Sequence, residues 1–203
     1  MKYRVFFRGR EIPVQTTKVN PRPYNHTEIQ EFVQIICPEG GGRLTVESDE
    51  PLDCPVVRPL SLGLDAVSGG AGRVCIDVPG PCNFSLEFGG RIVGNLLVFL
   101  SPERDDHPSP GSPGVIYFGR GEHDVGTMYL SRDDVTVFLD EGAVLRGKMH
   151  LLGCRNVRIC GTGRIDDERS SERAVTLDIA GCVNVEVRDI VVTNPTTWTV
   201  RPF

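Results

Sequence analysis

Through its first hundred residues the chain alternates short apolar runs with turn residues. RVFF, FVQII, RLTVE, PVVRPL, VCIDV, FSLEF and NLLVFL have the length and alternation of strands, and PEGGG, SGGAG and PGPC between them carry the glycine and proline of tight connections. No stretch of helical length shows an apolar period near 3.6 residues. Several short strands at this spacing predict a β-sandwich over residues 1–104. SPERDDHPSPGSPG (101–114) then gathers proline, serine and charge, which predicts a linker at 105–113.

From residue 114 to 203 the pattern becomes a repeat. GCRNVRI (153–159) returns as GCVNVEV (181–187), with Gly153/Gly181, Cys154/Cys182, Asn156/Asn184, Val157/Val185 and Ile159/Val187 matched. DDVTVFL places Asp134, Val135 and Val137 at the corresponding positions one turn earlier. The same offset pairs Met149 with Leu177 and Leu151 with Ile179 as apolar positions, and His150 with Asp178 as polar ones. Alternation on both segments lets one set point inward and the other outward. A period in the twenties with no helical pattern between strands predicts the coils of a parallel β-helix, stacked about 4.8 Å apart. The fold class expected is therefore all-β: an N-terminal sandwich followed by the first coils of a right-handed parallel β-helix.

In that arrangement Val157/Val185 and Ile159/Val187 form inward ladders, and Asn156/Asn184 form a turn ladder with amides bonded along the stack. Cys154 and Cys182 are near enough for a disulfide on distance alone. In-register side chains on neighbouring parallel strands generally lack the orientation, so thiols are expected. Arg158 and Glu186 become exposed vertical neighbours, worth under about 1 kcal/mol.

Composition narrows the function. The 203 residues carry 22 basic and 27 acidic side chains, a net charge of −5. An acidic balance without basic clusters argues against nucleic acid or an anionic membrane as partner. The start, MKYRVFFRGREIPV, lacks the apolar stretch of about 7–15 residues of a secretory leader. No run approaches the roughly 20 apolar residues that span a bilayer. The chain as it stands is expected to be cytoplasmic, or extracellular if a leader has been trimmed. Seven cysteines form no CxxC pair and are expected as free thiols. The sequons at Asn25 and Asn83 would matter only in a secreted protein.

Candidate chemistry is sparse. His150 and Asp178 can be drawn as an acid–base pair, but no nucleophile accompanies them, and a solvated surface pair is the expectation. Asp166, Asp167 and Glu168 in GRIDDERSSER offer two carboxylates of the kind a glycosidase needs. Adjacent strand residues face opposite ways, however, so a polar corner is expected. Asp140 and Glu141 read as a turn. FGRGEHDVG (118–126) lacks phosphate-loop spacing and a following helix. Trp198, the sole tryptophan, fits a sugar platform and plain core packing equally. No catalytic residue, metal ligand or cofactor is assigned.

The succession VIYFGRGEHDVGTMYL, VTVFLDEGAVLRGKM, GCRNVRICGTGRID and GCVNVEVRDIVVTNPTTWTV, spanning residues 115 to 200, resembles the opening coils of the β-helical glycoside hydrolases, the polygalacturonases and the dextranase and isopullulanase family. The N-terminal region resembles the sandwich that precedes the helix in dextranase-like members, with VVRPLSLGL as its motif-like segment. The resemblance implies hydrolysis of glycosidic bonds by paired carboxylates on coils after the NPTTWTV strand, beyond Phe203. The expected function is thus the N-terminal part of a polysaccharide-active glycoside hydrolase, and an open last coil is expected to favour self-association. A carbohydrate-binding or assembly module is the alternative. A polysaccharide lyase, which would need Ca²⁺ held by carboxylates, stands third.

Overall fold

The computed structural model describes residues 2–20, 27–91 and 93–203; Asn25 lies outside the described residues. Among the described residues the only helical element is a 3-10 turn, Leu60–Leu62, and everything else with regular structure is strand. No helix among them is long and apolar enough to cross a membrane. The chain divides into two compact units, Met1–Arg104 and Asp105–Phe203.

The first unit holds β1 (Arg4–Phe7), β2 (Arg10–Ile12), β3 (Gln15–Val19), β4 (Glu28–Cys37), β5 (Gly42–Glu47), β6 (Val56–Arg58), β7 (Ala66–Ser68), β8 (Arg73–Val78), β9 (Cys82–Glu87) and β10 (Leu96–Pro102). They form two five-stranded sheets, ordered β2-β1-β5-β8-β7 and β3-β4-β10-β9-β6. Among the described residues of this unit only the β4–β10 pairing is parallel. Alternate residues of both sheets meet in one apolar core: Val5, Leu44, Val46, Val74 and Ile76 from the first, Val33, Phe84, Leu86, Leu96 and Val98 from the second. Full burial of each such side chain contributes about 1.5–3 kcal/mol, which makes this core the main support of the unit.

Two sequence expectations need correction here. PVVRPL stops being a strand at Arg58, because Pro59 has no N–H to donate and the next residues wind into the 3-10 turn, closed by Gly63 in the left-handed region at φ 62°. Strands β2, β3 and β7 carry no apolar run in the sequence. All three are outermost in their sheets. Short, polar strands are the usual composition of an edge, where a longer apolar one would invite pairing with another chain.

The second unit holds β11 (Val115–Phe118), β12 (Gly121–Leu130), β13 (Thr136–Leu139), β14 (Ala143–Leu152), β15 (Arg155–Gly161), β16 (Arg164–Asp166), β17 (Leu177–Ala180), β18 (Val183–Val187), β19 (Val191–Thr193) and β20 (Val200–Pro202). All of its strand pairings are parallel. One sheet runs β11-β13-β15-β18. In the other, β14 pairs with β12 on one side and with β16 and β17 on the other; β19 then pairs with β16 and β20 with β17.

The registers are those of the repeat. Val157 lies beside Val185, Ile159 beside Val187, Met149 beside Leu177 and Leu151 beside Ile179. The weaker copy appears as Val137 beside Ile159. Val137, Leu139, Leu145, Met149, Leu151, Val157, Ile159 and Leu177 close a second core separate from the first.

Asp134, just before β13, and Asn156 and Asn184, the second residues of β15 and β18, turn the chain with φ of 56°, 53° and 58°. Asn and Asp tolerate this left-handed region better than other side chains, which explains the residue type at each corner. The amides then bond along the stack: Asn156 Nδ2 donates to Asp134 Oδ1 at 2.9 Å, and Asn184 Nδ2 to Asn156 Oδ1 at 2.8 Å. Arg158 and Glu186 pair at 2.6 Å on the outside. They are joined by Arg188, 3.1 Å from Glu186, and by Asp106, 3.6 Å from Arg158.

Candidate functional site

Strand β14 reads Arg146-Gly147-Lys148-Met149-His150. Met149 belongs to the core, so the alternation of a strand sends Arg146, Lys148 and His150 to the opposite, outer face. Asp166, Asp167 and Asp178 converge on this face, and each finds a cation there.

Asp166 lies beside Arg146 in the parallel register. Its Oδ2 is 2.9 Å from Arg146 Nη1 and 3.7 Å from Arg164 Nη2, while Oδ1 accepts from Glu168 N at 3.0 Å and from Asn194 Nδ2 at 3.1 Å. Arg146 also donates to Glu122 Oε1 at 2.5 Å. Burial by itself would raise the Asp166 carboxyl. The Glu168 N–H, the Asn194 amide and the two guanidinium charges outweigh it, and the carboxyl is held below the usual range.

Asp167 takes a different cation. It forms an ion pair with Lys148, and both side chains are completely buried. Asp167 Oδ2 also accepts from Thr176 Oγ1 at 3.0 Å and from Thr196 N at 3.2 Å, while Lys148 Nζ donates to Thr196 Oγ1 at 3.0 Å. The segment 167–176 between β16 and β17 crosses the outer face and covers the lysine. Thr127 Oγ1 donates to Glu172 Oε2 at 3.2 Å, and Arg169 pairs with Glu122 at 3.3 Å, which fastens that segment to β12.

His150 and Asp178 are neighbours in register but do not form an acid–base pair. His150 Nε2 donates to the carbonyl of Val175 at 2.9 Å, and its ring meets Tyr129 edge-on at 5.4 Å. Asp178 is gripped by Arg201 Nε and Nη2 at 3.0 and 2.6 Å. The expectation of a solvated pair is corrected: Asp178 is buried, because Arg201, next in the stack on β20, lies over it. The Arg201 hydrogen bonds hold the Asp178 carboxyl below its ordinary value.

The remaining candidates behave as structural groups. Asp140 accepts from Tyr117 Oη at 2.7 Å and from Glu141 N at 2.8 Å, and Glu141 faces Arg120 at 3.7 Å across the turn. FGRGEHDVG forms the end of β11 and the start of β12, and His123 Nε2 bonds the Gly119 carbonyl at 2.6 Å. The Trp198 side chain is not core: the residue is 70% exposed. Among the described residues no three His, Cys, Asp or Glu side chains gather as a metal ion would require.

A glycosidase acid needs a carboxyl whose proton is held up to near-neutral pH. Glu122, Asp166 and Asp178 are shifted the other way by Arg146, by the hydrogen bonds at Asp166 and by Arg201. On this face Glu122, Asp166 and Asp178 are therefore held as carboxylates by their arginines and donors, and Asp167 is paired with Lys148. Sequence reasoning passed over Arg146, Lys148, Thr176, Thr196 and Arg201. The R-G-K-M-H alternation of β14 carries a signal for the first two, since the inward parity of Met149 sends both to the other face.

The shift at Asp178 has a measurable sign. A carboxyl lowered by folding adds stability above its unfolded value, about 3.9 for Asp, and that stability is lost as pH falls through the folded value. Arg201→Met lets the Asp178 carboxyl rise toward the ordinary range. The variant lacks the contribution that the parent holds at neutral pH, so acid unfolding, followed by circular dichroism at fixed urea, is expected to begin at higher pH than in the parent. An unmoved acid limb would contradict the pairing.

No family model matches the chain, and no curated protein matches it. Among solved structures it is similar to Dex49A from Penicillium minioluteum, with a TM-score of 0.52 and 15% sequence identity over 92% of this chain and 53% of that one. The chain spans about half the length of that protein. At this identity the likeness concerns the fold, which is all-β and includes parallel sheet.

Proposed function

We propose that the chain is the leading part of a polysaccharide-active glycoside hydrolase: a β-sandwich, residues 1–104, followed through a linker at 105–113 by the opening coils of a right-handed parallel β-helix, 114–203. The observation that carries this reading is the in-register parallel stacking of residues 115–202, in a chain whose likeness to Dex49A extends over 92% of its length. The motifs resembling the dextranase, isopullulanase and polygalacturonase families fall on those same strands. Asp166, Asp167 and Asp178 are held ionised by, or paired with, cations, so they serve the scaffold. The acid and base then belong to coils outside these 203 residues, and the substrate is a polysaccharide or oligosaccharide.

A second reading, a carbohydrate-binding module without hydrolysis, draws on the exposed indole of Trp198 and the exposed ring of Tyr129, which are 70% and 62% accessible. The test compares this chain with the product of the gene carried past codon 203. Reducing-sugar release is measured on dextran, pullulan and polygalacturonate. The 203-residue chain is expected to release none, and the extended product to hydrolyse one of them. Binding without hydrolysis by the extended product favours the module, and turnover by the 203-residue chain would overturn the assignment of these carboxylates to structure.

A further inference from the structure

We propose that Cys154 and Cys182 form a redox site, a thiol pair that a low-molecular-weight disulfide closes into a covalent clasp between successive coils. Both cysteines are thiols here, with their Sγ atoms 3.3 Å apart. That is already inside the ~3.5–4 Å optimum of non-bonded atoms.

The backbones on either side are fixed. Gly153 and Gly181 make the same left-handed turn at φ 61°. Gly153 N donates to Ala180 O at 2.9 Å, Val183 N donates to Cys154 O at 3.0 Å, and Arg155 lies beside Val183 in register. Neighbouring parallel strands are about 4.8 Å apart, within the ~4.4–6.8 Å between Cα atoms that a disulfide accepts. Closing the gap to about 2.05 Å therefore requires side-chain rotation and no change of register. Side chains in the middle of parallel strands lack this orientation. These two cysteines escape the rule because they occupy the corners between β14 and β15 and between β17 and β18, where the chain bends and the two Sγ atoms meet.

The pair is asymmetric. Cys154 is buried and Cys182 is partly exposed. Burial, reinforced by the contact with Cys182, pushes the Cys154 thiol up to about 11, so it stays protonated at neutral pH. Cys182 is the member that meets an oxidant. Its thiolate attacks one sulfur of the external disulfide, the S–S bond breaks, and one thiolate leaves to be protonated. Cys154 then gives its proton to solvent and attacks the Cys182 sulfur, expelling the second thiolate. Two protein thiols are oxidised and one external disulfide is reduced to two thiols. The clasp ties residues 28 apart in sequence and holds the β17–β18 corner to the β14–β15 corner.

The test uses the full chain in a Cys54→Ser background, which removes the exposed thiol at that position. The folded protein is incubated with glutathione disulfide, alkylated under denaturing conditions and mapped by mass spectrometry without reduction. Peptides carrying Cys154 and Cys182 are expected to be joined with loss of two hydrogens, and to separate with dithiothreitol. The oxidised form should melt at least ~5 °C above the reduced one. Cys154→Ala is expected to leave Cys182 as a glutathione adduct. Recovery of both residues as free thiols, two separate adducts without a cross-link, or a cross-link that leaves the melting temperature unchanged would each overturn the proposal.

Discussion

Lys148→Met, with Asp167 left in place, is expected to lower the unfolding free energy by about 3–5 kcal/mol, because it strands a carboxylate where no water can reach it. Lys148 and Asp167 are both fully buried, and Asp167 Oδ1 already has no hydrogen-bond partner. Removing the ammonium leaves Asp167 only the Thr176 hydroxyl and the Thr196 N–H and hydroxyl. The double variant Lys148→Met/Asp167→Leu removes both charges and is expected to recover most of the loss, since a buried pair and a well-packed apolar pair of similar volume are often nearly equal in stability. Urea unfolding of the two single variants and the double variant closes the cycle. A loss in the double variant equal to the sum of the two single losses would mean that the two groups do not act on one another.

Gly161→Ala is expected to be comparably damaging, at about 3–5 kcal/mol, for a reason unrelated to charge. Gly161 has φ 111°, outside the regions L side chains adopt, and a Cβ there would sit 1.9 Å from the Leu139 carbonyl oxygen. Leu139 is its register partner on β13, so the clash is with the backbone of the adjacent strand and cannot be relieved by a rotamer change. Backbone strain and overpacking contribute about 1–3 kcal/mol each. Gly153→Ala provides the comparison: φ is 61° there and a Cβ meets nothing within 4 Å, so only the left-handed strain of about 1–2 kcal/mol remains. Thermal melts that rank the two variants equally would place the damage in the turn rather than in the approach of the paired strands.

What the sequence makes legible is whatever depends on parity. The columns Val157/Val185 and Met149/Leu177 and the corner asparagines follow from alternation and spacing, because a stacked strand offers one inward and one outward direction per residue. The edge strands β2, β3 and β7 are illegible for the opposite reason: a strand paired on one side has little need of an apolar pattern. The burial of Lys148 is illegible too. It is produced by 167–176, an irregular segment whose path across β14 is set by contacts with Thr127 and Glu122, far away in sequence. Asp178 looks like a solvent-facing partner of His150 until Arg201 is placed over it, and that placement needs the β17–β20 register, which no repeated motif announces.

The two repeat intervals, 22 residues from Asp134 to Asn156 and 28 from Asn156 to Asn184, produce the same spacing between strands. Most of the difference arises beside one position of the stack, between Asp166 and Leu177, and is partly offset by a shorter turn between Gly161 and Arg164 than between Leu139 and Val144. Strand β14 passes without interruption from Arg146 to Met149; beside it 167–176 is inserted between β16 and β17, and 194–199 between β19 and β20. Length at this position is decoupled from winding: a chain can gain or lose residues at this seam while every interior side chain keeps its column. Elsewhere in a strand, a single residue added without a bulge would turn the rest of that strand inside out; beside the seam β12 takes one extra residue, Val125, as a bulge and recovers its register at Gly126. The seam is therefore where such a protein can grow new surface and still fold by an unaltered plan.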